Sequence, residues 1–263
     1  MSVFLTTFLL LQIILLFLYK SFIVDIAKKN EKNLVENTLQ IYHNTMESVL
    51  ERLDDNLDLL LGCRLLLTQL NGENNLEKVK AQHQMLQILK ERCKDTKEAD
   101  AYAIVNCKDN SILIQRNGNI TYDTIKDIKK YLQKRNTFDK TPTSGWTSTV
   151  MGEQVYLVKY YNYGANTIAV LISEKRLDSL LNYNDMSIKE AAFYLTDKKG
   201  KILCGSGEDW TYGEAIENLQ KQDPSISIYR GSVLEDAYQM YYSVKSSEYA
   251  AYSTSGIVIF GFL

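Results

Sequence analysis

The chain has 263 residues, of which 45% are hydrophobic, 24% charged and 11% aromatic, with a formal net charge of −2. That length holds a membrane segment and one or two modest domains. The near-neutral balance excludes a nucleic-acid partner bound through a concentrated positive field, and two prolines against 18 tyrosines argue against a disordered chain.

Residues 1–24 begin with an uncharged run from Met1 to Tyr19 rich in Phe, Leu, Ile and Val. Phe22, Ile23 and Val24 extend it past Lys20, whose aliphatic stem can snorkel. About 20 such residues at ~1.5 Å each cross the ~30 Å hydrocarbon core, so the run predicts a transmembrane helix. A cleaved signal peptide fits less well, because no basic n-region precedes the run and no small-x-small site follows it.

Residues 25–70 are expected to continue as one helix, unbroken until Asn71-Gly72. Leu39, Met46, Leu53, Leu60 and Leu67 recur every seven residues, and Val35, Tyr42, Val49, Asn56, Cys63 and Leu70 form a second line beside them. An a/d pattern over about five heptads predicts a long amphipathic stalk, on the order of 100 Å including the membrane segment. Two partners could cover its stripe. One is a second copy in a parallel homodimer, with Val35, Leu39, Tyr42, Met46, Val49 and Leu53 in the seam and Asn56 fixing its register. The other is the chain's own sheets; Leu50, Leu59, Leu61, Leu65 and Leu66 widen the stripe and favour that second reading along most of its length.

Residues 71–181 follow as one unit. Asn71 to Asn75 is a stop and turn, and Leu76 to Lys94 a return helix. Ala101 to Cys107 and Ile112 to Gln115 form a hairpin about Lys108-Asp-Asn-Ser. An amphipathic helix over Thr121 to Arg135 takes its cap from Thr121 or Asp123, and its lysines read as a solvated face. Strands at 145–151, 153–161 and 165–173 complete an antiparallel sheet with helices on one face, an α+β unit. Glu174 to Leu181 is a short connecting helix.

Residues 182–254 repeat the style on a smaller scale. Strands fall at 191–197 and 201–204, a helix runs from Asp209 to about Lys221, and strands at 226–229, 237–244 and 249–253 follow. The apolar residues 255–263 are too few to span a bilayer and read as the start of a truncated second transmembrane helix, with a last buried strand as the alternative.

No chemistry-bearing constellation emerges. Cys63, Cys93, Cys107 and Cys204 match neither zinc nor Cys-x-x-Cys spacing, and a bridge between Cys93 and Cys107 stays open. His43 and His83 have no nucleophile or ligand partner at a useful spacing, and Gly205-Ser-Gly207 lacks the lysine of a phosphate loop. The reading is therefore no enzyme, no metal and no cofactor within this stretch; any kinase or other output would lie beyond residue 263.

An anchor, a long helix, two tandem PAS-like modules and a second span resemble the double Cache sensor domain of bacterial receptors, found in histidine kinases, chemoreceptors and membrane-bound AraC-type regulators. The local matches are Ala169 to Leu181, Ala192 to Leu203 and Tyr242 to Tyr252. The resemblance implies extracytoplasmic small-molecule sensing and transmembrane signalling, with the ligand in the membrane-distal module. It also places the globular part outside the cell, although Lys20, Lys28, Lys29 and Lys32 follow the span and the positive-inside rule alone would put that part inside. The family's Arg-x-Trp-Tyr amino-acid motif is absent: Trp146 has no Arg two residues before it, and Ser173-Glu174 stands where an Asp is expected. Tyr102, Trp146, Tyr156 and Tyr160 remain as candidate ligand contacts, because aromatic walls with polar tips suit a small-molecule pocket. The competing reading is a membrane-anchored coiled-coil scaffold.

Overall fold

Backbone hydrogen bonds carry helix α1 (Ser2–Gly62) through 61 residues, about 90 Å of rod, without interruption at Asp25 or Asn30. The computed structural model describes residues 2–118, 120–136, 145–181, 191–206, 210–234 and 238–245. The expected strand at 249–253 and the terminal apolar run 255–263 lie outside them. The rod stops eight residues earlier than the heptads imply. Cys63 turns to φ −75° and ψ 42°, and a separate helix α2 (Arg64–Leu70) begins. Gly62 supplies the weak point, since glycine inside a helix costs about 1 kcal/mol relative to alanine. The stripe survives the break, because Leu60, Leu67 and Leu70 are all buried.

Helix α3 (Asn75–Asp95) starts on the Asn74 side chain, which accepts from Leu76 N. Its far end returns to α1, where Arg92 Nη1 donates to Asn56 Oδ1 at 3.4 Å and Arg52 pairs with Glu98 at 2.6 Å. Strands β1 (Ala101–Asn106) and β2 (Ser111–Arg116) form the expected hairpin. Helix α4 (Tyr122–Arg135) is capped by Thr121, which accepts from Thr124 N. Strands β3 (Thr147–Met151), β4 (Gln154–Tyr163) and β5 (Asn166–Ser173) complete an antiparallel sheet in the order β2-β1-β5-β4-β3.

This distal sheet is covered on both sides rather than one. Alternation along the strands sends Tyr102, Ile104, Leu157, Ile168, Val170 and Ile172 toward α1 and α3. It sends Ala101, Ala103, Val105, Tyr156, Val158, Tyr160, Ala169 and Leu171 toward α4. All eight residues of β5 are therefore buried, the unbroken apolar pattern of a strand with no solvated face.

Polar contacts fix the helices to this sheet. Asp54 on α1 takes Lys159 Nζ at 2.5 Å and Tyr161 OH at 2.9 Å. The Asn106 amide donates to Asn71 Oδ1 and Asn166 Oδ1, and Asn166 donates to Leu67 O at 2.8 Å. One of the open carbonyls at the end of α2 is satisfied this way. At the opposite edge Asp100 accepts from Ser173 N at 2.5 Å and from Arg176 Nε at 2.8 Å. Arg176 begins its reach from helix α5 (Glu174–Leu181) and also donates to Lys97 O and Asn117 O. One guanidinium thus ties α5 to the starts or ends of three other segments.

The proximal sheet has the order β7-β6-β9-β8, built from β6 (Ala191–Asp197), β7 (Ile202–Gly205), β8 (Ile226–Leu234) and β9 (Tyr238–Lys245). The helix expected from Asp209 shrinks to α6 (Glu217–Gln222). Gly213 sits at φ +76° and Ala215 bridges to Lys201, so the preceding residues are held as a turn. Strand β8 runs past Tyr229 because a bulge between Arg230 and Val233 bends it over α1. The approach is close: a Cβ on Gly231 would stand 2.0 Å from Leu39 Cδ2 and 2.8 Å from Met240 O. Tyr42 on α1 meets Phe193 edge-on at 4.8 Å between ring centres.

All seven residues of the expected dimer seam, Val35, Leu39, Tyr42, Met46, Val49, Leu53 and Asn56, are buried within a single chain. The stripe is filled by the chain's own sheets. Asn56 donates to Arg52 O and accepts from Arg92, so its polar group is satisfied without a second copy. Each buried leucine of the stripe contributes about 1.5–3 kcal/mol relative to an exposed one. The four cysteines are free thiols.

Candidate ligand-binding face of the distal sheet

The four aromatic residues singled out in the sequence divide between the two faces of the distal sheet. Tyr102 points toward the stalk, fully buried, and its hydroxyl donates to Thr96 Oγ1 at 2.9 Å. Burial pushes its phenol up to about 12, against the lowering effect of the Thr96 bond. Trp146 precedes Thr147 on β3 and packs in the same stalk-facing cluster, with its indole N–H buried and unpartnered among the described residues. Tyr156 and Tyr160 lie on the opposite face, beneath α4. Tyr156 and Tyr160 share one side of β4, since alternate residues share a face.

Register builds the α4 face row by row. Tyr160 stands beside Ala169, which stands beside Ala103, with Ile114 beyond. In the next row Val158, Leu171, Ala101 and Arg116 follow one another, and Tyr156 pairs with Ser173. Three alanines therefore make a low floor in the centre of the sheet, flanked on the β4 side by two tyrosines. Above the β3 edge, Tyr131 of α4 donates to Thr147 Oγ1 at 3.0 Å, and Thr147 passes its own proton to Val158 O at 3.1 Å.

The polar atoms around this floor are few. Tyr156 OH donates to Gln154 Oε1 at 3.2 Å. Burial first, and then the carboxylates of Asp100 and Glu174, push the Tyr156 phenol up to about 12, so it acts as a neutral donor and acceptor. Arg116 Nη1 is spent on Ile120 O at 2.6 Å. Asn136, at the end of α4, donates to Thr167 Oγ1 at 2.9 Å but leaves its buried Oδ1 without a partner among the described residues. A buried acceptor left open costs about 1–3 kcal/mol, which a ligand donor or a water would recover. Sequence reasoning missed Asn136, because an Asn closing a helix is ordinarily a cap and nothing local marks its oxygen as vacant.

The stalk-facing side is packed around a small cavity. A cavity of about 10 Å³ lies between Leu70, Gln82, Ile104, Asn106, Ser111 and Leu113, room for about one water. Among the described residues no group of three or more His, Cys, Asp or Glu could hold a metal ion. One helix there is long and apolar enough to cross a membrane, with a mean hydropathy of 2.1 over its most apolar window, and its large residues from Phe8 to Phe22 are exposed.

No protein-family model and no curated protein sequence matches the chain. Solved structures do. The ligand-binding domain of chemoreceptor CtaA of Pseudomonas fluorescens, in complex with L-serine, gives a TM-score of 0.52 at 10% identity, covering 83% of this chain and 98% of that one. The ligand-binding domain of the amino acid chemoreceptor PctB of Pseudomonas aeruginosa PAO1, in complex with L-Gln, gives 0.51 at 11% identity over 85% and 96%. The sensory domain of the Campylobacter jejuni chemoreceptor Tlp3 with isoleucine bound gives 0.48 at 14% identity over 85% and 95%. A long helix carrying two α+β sheets is thus an arrangement this chain shares with chemoreceptor ligand-binding domains, and its fold is the double Cache fold.

Proposed function

We propose that the chain is the sensing portion of a membrane receptor, anchored by the first part of α1, with its sheets outside the cytoplasm and a small-molecule ligand held on the α4 face of the distal sheet. The observation that carries this reading is the contrast between the two faces. The stalk packs on one; on the other, α4 packs over an alanine floor and two tyrosines and leaves the Asn136 oxygen without a partner among the described residues. The shared fold supports it, because PctB and CtaA were solved as ligand-binding domains with amino acids bound. A sensing role needs no catalytic group, and none is assigned. The scaffold reading loses its main support, since the seam it requires is occupied within the chain.

In this reading the ligand acts by binding one arrangement of sheet and stalk better than another, and shifts their populations by no more than that difference in affinity. Calorimetric titration of the full chain in bilayer discs against amino acids, amines, organic acids and sugars tests it. A ligand is expected whose affinity falls about tenfold or more, at least 1.4 kcal/mol, in Tyr160→Ala, and holds in Tyr102→Phe on the opposite face. Folded protein that binds nothing, or a ligand more sensitive to Tyr102→Phe than to Tyr160→Ala, contradicts it.

A further inference from the structure

The two helices that sandwich the distal sheet carry opposite charge on their outer faces. On α1, Glu47, Glu51, Asp55 and Asp58 are exposed at spacings of four, four and three residues. They lie opposite the buried line of Val49, Leu53, Leu57 and Leu60. Glu47 approaches His43; Glu51, Asp55 and Asp58 have no ion-pair partner among the described residues. On α4, Lys126, Lys130 and Lys134 are exposed at intervals of four, opposite the buried Thr124, Ile128 and Leu132; the exposed Asp127 lies beside them and accepts from Gly152 N. Lys126 is shared with Asp123 and the Tyr122 ring, while Lys130 and Lys134 have no partner among the described residues. Arg135 extends the basic end over Tyr131.

These stripes match in dimension as well as sign. At ~1.5 Å per residue the acidic line is about 16 Å long and the basic line about 12 Å, each with charges roughly 6 Å apart. Both helices cross the same sheet: α1 through Asp54 to Lys159 and Tyr161, α4 through Tyr131 to Thr147 and Asn136 to Thr167. They lie on its two sides. An acidic stripe and a basic stripe on opposite sides of one body cannot meet within a chain, nor close a two-fold pair at a single patch. They suit a head-to-tail contact between copies.

We infer that the distal modules of neighbouring copies dock side by side, the α4 lysine stripe of one against the α1 carboxylate stripe of the next. Exposed ion pairs contribute up to about 1 kcal/mol each and are screened by salt, so the contact is weak in solution. Confinement of every copy to one membrane in one orientation raises its effective concentration. The same acidic line would repel a second α1 laid against it, which separates this contact from a symmetric stalk-to-stalk one. The inference uses the membrane anchor but not the ligand face, so the ligand titration can fail without touching it.

Energy transfer between donor- and acceptor-labelled full chains in bilayer vesicles reads the contact. Wild-type transfer is expected to fall to the level of an unrelated membrane protein in high salt, in K126E/K130E/K134E, and in E51K/D55K/D58K. Each triple variant has like charges on both faces, yet each complements the other. Mixing donor-labelled copies of one with acceptor-labelled copies of the other is therefore expected to restore transfer, a result that misfolded variants could not give. No restoration on mixing overturns the proposal. So does loss of transfer in the α4 variant alone with the α1 variant unchanged, which would mean that the lysines meet a different polyanion.

Discussion

Leu53→Ala is expected to lower the stability of the folded chain by about 3–4 kcal/mol, by the same amount at every protein concentration. Leu53 is fully buried in the middle of the α1 stripe, in the cluster that includes Leu157, Ile168 and Val170 of the distal sheet. Truncation removes its transfer free energy and leaves a cavity that a helix clamped on both sides cannot close. Lys159 and Tyr161 hold α1 at Asp54, one residue away, and Arg92 holds it at Asn56. Denaturant unfolding of the full chain in detergent, followed by emission of the buried Trp146, measures the loss. Independence from concentration is the informative part. A seam between two copies would make the loss grow as the protein is diluted, because dimer stability depends on concentration.

Asp100→Ala is the second large effect, with an expected loss of about 2–4 kcal/mol. Breaking a buried ion pair by removing one partner typically costs 3–5 kcal/mol, and the figure is discounted here because the Arg176 side chain is 31% exposed. The substitution leaves Ser173 N without its acceptor and Arg176 without its carboxylate. Both groups sit where the last strand of the distal sheet passes into α5, so the damage is expected to be local. Hydrogen exchange should accelerate at the end of β5 and through α5 in this variant, and remain slow in the middle of β1 and β5. Arg176→Lys is expected to recover little of the contact in its place, since an ammonium cannot make the three directed bonds that the guanidinium makes to Asp100, Lys97 and Asn117. Uniform acceleration across the sheet would contradict the local account.

Much of this architecture was legible from residue patterns. The five distal strands appear within two residues of their expected bounds because β-branched runs between Asn- and Gly-containing turns leave few alternatives. The caps of α3 and α4 are the Asn74 and Thr121 side chains, residue types that satisfy free helix N–H groups. The widened leucine stripe correctly favoured the chain's own sheets over a second copy. What the patterns could not give were features set by tertiary contact. A single glycine inside a helical pattern is usually tolerated, and nothing before the fold marked Gly62 as the end of the rod. The bulge that brings Gly231 against Leu39 depends on α1 lying beneath it. Tyr102 and Trp146 looked equivalent to Tyr156 and Tyr160 because a sheet buried on both sides loses the polar alternation that would tell its faces apart.

One rod through the membrane region, with both sheets mounted on it in the same chain, is the premise on which ligand sensing and head-to-tail docking both depend. Spin labels at Lys28 and Asp58, both exposed on α1, measure it in bilayers. Thirty residues of unbroken helix place the two positions about 45 Å apart. The expected result is one narrow distance distribution near that value, unchanged when labelled chains are diluted with unlabelled ones. A broad or markedly shorter distribution would mean that the rod bends or breaks above the membrane, and the account would fail.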